Sequence, residues 1–202
     1  MLKYTALSLL LMAQPAQALE FAAHKNDQSR TLTAILATGN VISGDTEQLR
    51  GYLRRIKIKK NVAIYLASPG GDLYEGMKLG MFFHQHRMRT VVEGGHDCAS
   101  ACALAFLGGT DNDGKSWRSS SSDSRLGFHA FRGVSAKALD EDEVQTIVAD
   151  MLRYGRAVNA PIELLIAGSA TRSQDIFWVS HADTCALGIK LWSNETRRFV
   201  CN

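Results

Sequence analysis

Long apolar runs are missing from this sequence beyond its beginning, which excludes a membrane-spanning segment of about 20 apolar residues. The chain starts with the basic residue Lys3, followed by a short apolar stretch over residues 6–12 and the small-residue cleavage motif Ala16-Gln17-Ala18. This order is typical of a secretory signal peptide. We therefore expect cleavage after Ala18, a periplasmic or secreted protein, one domain over residues 19–202, and no stable membrane insertion after cleavage.

A Cys-x-x-Cys pair is also missing, and no second His/Cys pair has the spacing of zinc ligands, so we expect no metal site. The four cysteines are Cys98, Cys102, Cys185 and Cys201. An exported protein meets oxidising conditions in which thiols tend to pair. Local pairing, Cys98 with Cys102 and Cys185 with Cys201, is our first prediction, although four cysteines allow three arrangements.

The sequence has little net charge, +3, and its one dense basic cluster lacks interleaved aromatic residues. The cluster consists of Arg54, Arg55, Lys57, Lys59 and Lys60. It joins a predicted helix to a predicted strand, where charged side chains normally face water. We interpret it as solvated surface and expect no nucleic-acid partner.

Short apolar runs alternate with helical patterns along the chain. Strands are predicted at residues 32–37, 62–67, 89–93 and 126–131, and helices at about 43–56, 73–83, 100–107, 140–159 and 161–168. The serine-rich stretch 110–125 is predicted to be a surface loop. Alternation of strands and helices predicts an α/β fold with a largely parallel sheet.

Two short segments carry the chemistry that a hydrolase would need. Ser100 stands among small residues where a helix begins, so a carbonyl could reach its hydroxyl and the helix amides would favour negative charge. The turn Ser68-Pro69-Gly70-Gly71 follows a strand, and paired glycines can turn backbone amides toward a substrate. Such amides can form an oxyanion hole.

Three ordered motifs resemble the Clp protease family. They are Ser-Pro-Gly-Gly-Asp at 68–72, Ala-Ser-Ala at 99–101 and Gly-Phe-His-Ala at 127–130. The resemblance covers roughly residues 32–189 and implies a Clp/crotonase-type spiral of ββα units. It also implies that Ser100 attacks a peptide carbonyl, that the amides of Gly71 and Ala101 hold the oxyanion, and that His129 is the base.

The third catalytic residue has several candidates. The family places an acid after the long helix, and Asp175 is the nearest match, one residue out of register. Asp183 is the alternative, and a dyad without an acid is a third. His96, close in sequence to Ser100, is the reserve candidate for the base. A Ser-Lys pair would have to use Lys115 or Lys137, which lie in polar or helix-start segments.

The resemblance therefore implies an exported serine peptidase without a cofactor. Its substrate is expected to be a peptide or an unfolded protein, because an ATP-driven unfoldase partner has no ATP outside the cytoplasm. A homo-oligomer is possible in this family. The competing interpretations are a binding module that has kept the groove and lost the chemistry, and a crotonase-like acyl enzyme, which export disfavours because coenzyme A is intracellular.

Overall fold

The computed structural model describes residues 18–24, 30–131 and 140–201. The strands are β1 (Glu20–Ala23), β2 (Leu32–Thr38), β3 (Asn61–Ala67), β4 (Met88–Val92), β5 (Asp97–Ala99), β6 (Arg118–Ser121), β7 (Arg125–Phe128), β8 (Phe177–Trp178), β9 (Lys190–Ser193) and β10 (Arg198–Cys201). The helices are α1 (Asp45–Arg55), α2 (Leu73–Gln85), α3 (Ala101–Phe106), α4 (Glu141–Ala157), α5 (Ile162–Ala170) and α6 (His181–Ala186). Apart from Ala18, the predicted signal peptide lies outside the described residues.

The main sheet has seven strands in the order β1-β2-β3-β4-β6-β9-β10. The five inner strands run parallel, and β1 and β10 join the two edges antiparallel. The structure is thus α/β with a mostly parallel central sheet, as the alternating pattern predicts. No helix among the described residues is long and apolar enough to cross a membrane.

The core joins residues of the main sheet to residues of the helices. Ile35 and Ile64 stand opposite each other on β2 and β3 and are fully buried. Leu79 and Phe83 on α2 and Phe106 on α3 belong to the same cluster and are fully buried as well. Because α3 is made only of apolar residues, it is buried on all sides, as expected for a helix in a core.

The helix boundaries follow from their capping residues. Asp72 accepts a hydrogen bond from the amide of Glu75 and begins α2. Asp140 and Glu143 form a reciprocal capping box at the start of α4. At the other end of α4, the buried Arg118 donates to the carbonyls of Val158 and Asn159, at 2.7 and 3.2 Å, so these terminal acceptors are satisfied inside the protein.

The predicted surface loop at 110–125 is confirmed in its first half, where residues 112–116 form an exposed turn, and wrong in its second half, which forms β6 inside the main sheet. Ser119, Ser120 and Ser121 are all buried. The strand pairs with β4 on one side and β9 on the other, so both rows of its backbone groups are hydrogen-bonded. Serine side chains are small enough for this crowded position, but their polarity gave the stretch the appearance of a loop.

A second, three-stranded sheet has the order β5-β7-β8. Strands β5 and β7 are parallel, and β8 is antiparallel to β7. A bridge between Ser68 and Cys98 connects this sheet to the carboxyl end of β3. The three motifs identified in the sequence lie at the carboxyl ends of β3, β5 and β7. The pairing between these strands therefore determines how close the motifs are to one another.

Candidate functional site

Backbone pairing brings the three motifs to one place. The amide of Ser68 donates to the carbonyl of Asp97 at 3.0 Å, and the amide of Ala99 donates to the carbonyl of Ser68 at 3.1 Å. On the other side of β5, the amide of Ser100 donates to the carbonyl of Gly127 at 3.0 Å. Neighbouring strands lie roughly 4.8 Å apart. Ser100 therefore lies between the glycine turn and the segment that holds His129.

Ser100 has an unusual backbone conformation for a residue other than glycine, with φ 58° and ψ −126°. Such a conformation costs on the order of 1–3 kcal/mol and persists only where the surrounding structure enforces it. Here β5 enters the turn and α3 leaves it directly after Ser100. A serine on a strained turn from strand to helix has the backbone arrangement of a nucleophile elbow.

The glycine turn packs directly against this serine. A Cβ atom placed on Gly70 would lie 2.5 Å from the Cβ of Ser100 and 3.0 Å from the amide nitrogen of Ala101. A Cβ atom on Gly71 would collide with the carbonyl oxygen of Val41. Both glycines have positive φ, 102° and 147°. The close approach of the turn to Ser100 thus depends on both positions lacking a side chain, and the pattern Gly-Gly was the only sequence signal for the contribution of Gly70.

Two backbone amides near Ser100 have no acceptor within the described part of the chain. The carbonyl of Gly70 accepts from the amide of Val41 at 2.8 Å, and the amide of Asp72 donates to the carbonyl of Val41 at 2.8 Å. The intervening amide of Gly71 makes no such bond, and neither does the amide of Ala101, the first residue of α3. These are the two donors that the sequence predicts for an oxyanion hole.

His129 follows β7 and is half-buried. Its Nδ1 atom lies 2.7 Å from the carbonyl oxygen of Ala130. A carbonyl can only accept, so this contact requires a proton on Nδ1 and leaves Nε2 as the basic nitrogen. No hydrogen bond joins His129 to Ser100 among the described residues, a contact that often tightens only when substrate binds.

The structure does not place either candidate acid against His129. Asp175 is exposed and lies 3.8 Å from Nε of Arg172. Asp183 accepts a hydrogen bond from the hydroxyl of Ser180 at 2.6 Å, at the start of α6. Neither has a hydrogen bond to His129 within the described ranges. Of the predicted triad, the fold therefore brings together the serine and histidine segments, whereas Asp175 stays a prediction that no contact supports.

The alternative bases are less well placed. His96 is exposed and precedes β5, whereas Ser100 follows it, so the two residues are separated by the length of that strand, roughly 13 Å. Lys115 is exposed in the turn that begins at Asp111. Lys137 lies outside the described residues. Among the candidate bases in the described chain, His129 is the one that directly follows β7, the strand that pairs with β5.

Two disulfides form the local pairs that the spacing predicts, Cys98–Cys102 and Cys185–Cys201. All four sulfurs are thus used, and none is left as a zinc ligand. The Cα atoms of Cys98 and Cys102 are 5.3 Å apart, and this small ring contains Ser100. The bridges indicate a non-reducing environment, in agreement with the export expected from the sequence.

The two bridges are expected to have different effects. Replacing Cys185 and Cys201 by serine opens a loop of 16 residues and should lower the free energy of unfolding by about 3 kcal/mol. Replacing Cys98 and Cys102 by serine removes a loop of only 4 residues and should cost less stability. It should instead weaken reactivity at Ser100, because the turn loses its covalent constraint. Urea unfolding and the rate of fluorophosphonate labelling, measured on both double variants, test this; the reverse ranking in either measurement would contradict it.

A cleft of about 410 Å³ lies elsewhere, between α1 and α2. Asp45 and Glu75 are buried beside it. Burial raises the pKa of Asp45. Burial would also raise the pKa of Glu75, but hydrogen bonds from Thr46 outweigh it and hold the pKa of Glu75 below its usual value. Since neither Ser100 nor His129 lines this cleft, it is separate from the candidate catalytic site.

Compared with protein-family models and with curated proteins, the chain matches none. Its likeness to the Clp proteases therefore depends on the three sequence motifs alone.

Proposed function

We propose that this protein is an exported serine peptidase of the Clp/crotonase superfamily that hydrolyses peptides or unfolded polypeptides without ATP. The observation that carries the proposal is the strained conformation of Ser100, next to a glycine turn with a free amide and beside the strand that leads to His129. Strain of this kind concentrates at functional sites. A serine that only capped a helix would have no need of it.

In the proposed reaction, His129 Nε2 takes the proton from the hydroxyl of Ser100 as the oxygen attacks the substrate carbonyl. The amides of Gly71 and Ala101 donate to the developing oxyanion, which is the charge that such donors stabilise most. His129 then gives the proton to the leaving amine, and an acyl-enzyme remains on Ser100. Water activated by the same nitrogen releases the acid product and restores the hydroxyl.

The carbonyl of Ala130 takes the orienting role that an aspartate has in a full triad. Its contact with Nδ1 sets the tautomer in which Nε2 is the base. A neutral carbonyl stabilises the imidazolium less than a carboxylate does, so a slower enzyme than a full triad is expected. This arrangement corresponds to a dyad without an acid, the third option that the sequence leaves open.

A binding module without catalysis is the second candidate. The exposed position of Asp175, paired with Arg172, favours it because no acid in the described part of the chain contacts His129. A crotonase-like acyl enzyme would use the same two amides, but the two disulfides indicate a compartment outside the reach of intracellular coenzyme A.

Labelling with a fluorophosphonate separates these candidates, since it reports an activated serine without knowledge of the substrate. The oxidised protein is incubated with the probe across pH 6–9, and the adduct is mapped by mass spectrometry. We expect one adduct per chain, on Ser100. Absence of an adduct over the whole pH range would leave the binding module, and an adduct on another serine would refute the assignment.

We expect Asp175→Asn to change turnover by less than about tenfold. The carboxylate is exposed and faces Arg172, so it does not hold the histidine. In a full triad, loss of the orienting charge costs about 10⁴-fold in kcat. Hydrolysis of p-nitrophenyl acetate by Asp175→Asn and, as the matched control, by Asp183→Asn measures the difference. A loss of a thousandfold or more in Asp175→Asn alone would restore Asp175 as the third catalytic residue.

A further inference from the structure

We propose that the last residues of α1 and the loop that leads from it to β3 bind the surface of an anionic phospholipid membrane. We call this segment the basic edge. It comprises Arg54, Arg55, Lys57, Ile58, Lys59 and Lys60.

The first observation concerns four of the five cations of the basic edge. Arg54, Arg55, Lys57 and Lys60 are exposed. None of these four forms an ion pair with a carboxylate in the described part of the chain. The five cations also exceed the net charge of the whole chain, +3, so the remainder of the protein is net negative. Positive charge is therefore concentrated in this segment relative to the rest of the chain.

The neighbouring acids cancel only a small part of this charge. The turn beginning at Asp111 borders the basic edge, because Asn112 Nδ2 donates to the carbonyl of Lys60 at 3.1 Å. It carries Asp111 and Asp113, together with one further cation, Lys115. An oxygen of Asp111 accepts from the amides of Asp113 and Lys115 and so belongs to the turn itself.

The second observation is an isoleucine exposed in the middle of the cations. Ile56 packs against the core, whereas Ile58 leaves 48% of its surface in water. A lipid interface would bind both the cations and Ile58. The cations would contact the anionic headgroups, and the apolar side chain would enter the boundary between headgroups and acyl chains. A nucleic acid would favour aromatic side chains for stacking, and the basic edge contains none.

The position of the basic edge is compatible with an accessible catalytic site. It precedes the first residue of β3, and the glycine turn follows the last one. Seven residues of strand separate the two by roughly 23 Å. A protein held at the membrane by the basic edge would therefore present Ser100 away from the lipid. The inference does not depend on the proposed peptidase activity.

Co-sedimentation with vesicles tests the proposal on the exported, oxidised protein. Vesicles of phosphatidylcholine alone are compared with equimolar phosphatidylcholine and phosphatidylglycerol. We expect binding only to the anionic vesicles, and its loss at about 1 M salt, where the Debye length falls to about 3 Å. Replacing Arg55, Lys57 and Lys60 by glutamine should weaken binding roughly 100-fold, since each cation near an anionic surface contributes about fivefold.

Two further variants keep the test specific. The triple variant Arg153→Gln, Arg156→Gln and Arg198→Gln removes the same charge from other exposed positions and should bind as the wild type does. Ile58→Ser should weaken binding about tenfold with no change of charge. Circular dichroism verifies that each variant is folded.

Three results would overturn the proposal. One is the absence of binding to anionic vesicles. The second is an equal loss in the two triple variants, which would show an effect of net charge alone. The third is an unaltered affinity of Ile58→Ser together with equally tight binding of a DNA duplex, which would show a general polyanion site.

Discussion

Ser100→Ala is expected to reduce turnover by roughly 10⁴- to 10⁶-fold, the loss found when a serine nucleophile is removed from a coupled catalytic unit. The substitution keeps a Cβ atom at the strained position, so the backbone and the contact with Gly70 should be preserved. Turnover is measured with p-nitrophenyl acetate and with dye-labelled denatured casein. Labelling by the fluorophosphonate should disappear in the same variant.

Ser43→Ala serves as the control, because Ser43 is exposed and lies in the separate cleft between α1 and α2. It should retain both turnover and labelling. If Ser100→Ala remains folded and still hydrolyses both substrates at the rate of the wild type, Ser100 is not the nucleophile and the proposed function fails.

His129→Ala is expected to lower turnover about a hundred- to ten-thousand-fold, which is the typical contribution of one positioned base. The side chain is half-buried at the end of β7, and its removal leaves the backbone bond from Ala130 to Thr171 in place. Thermal unfolding should therefore shift little. The rate of labelling at Ser100 should fall with turnover, since both need the hydroxyl to lose its proton.

The matched control is His96→Ala, which removes an exposed imidazole at the far end of β5. It should have near-normal turnover, and an equal loss in the two variants would defeat the assignment. The double variant Ser100→Ala and His129→Ala should be little worse than Ser100→Ala alone, because the two residues act as a unit. Multiplicative losses would instead indicate separate roles.

Much of the fold could be predicted from apolar periodicity. The strands β2, β3, β4 and β7 and the helices α1, α2, α4 and α5 lie within a few residues of their predicted positions. The strand β6 could not be found in this way, because its buried residues are serines. Its place in the sheet is determined by pairing with β4 and β9, which are distant in sequence. The short β5 was hidden for a related reason, as it pairs only with segments far along the chain.

In the candidate site, too, the features set by local sequence could be predicted, and those set by distant contacts could not. Ser100 and the glycine turn are recognisable because glycine and small residues have specific conformational roles at these positions. The spacing of cysteines predicted both disulfides for a similar local reason. The surroundings of Asp175 could not be predicted, since α5 and the following turn determine where its carboxylate lies. Nor could the sequence indicate that the carbonyl of Ala130 would contact His129.

The bridge between Cys98 and Cys102 has a consequence for when the proposed enzyme becomes competent. Both residues are buried, with at most 1% of their surface exposed, so an oxidant must reach the thiols before α3 packs into the core. A chain still in the cytoplasm is kept reduced there and lacks this ring. The nucleophile would then mature only on the far side of the membrane, during folding. The producing cell would then be protected from the proposed hydrolase by the timing of an oxidation.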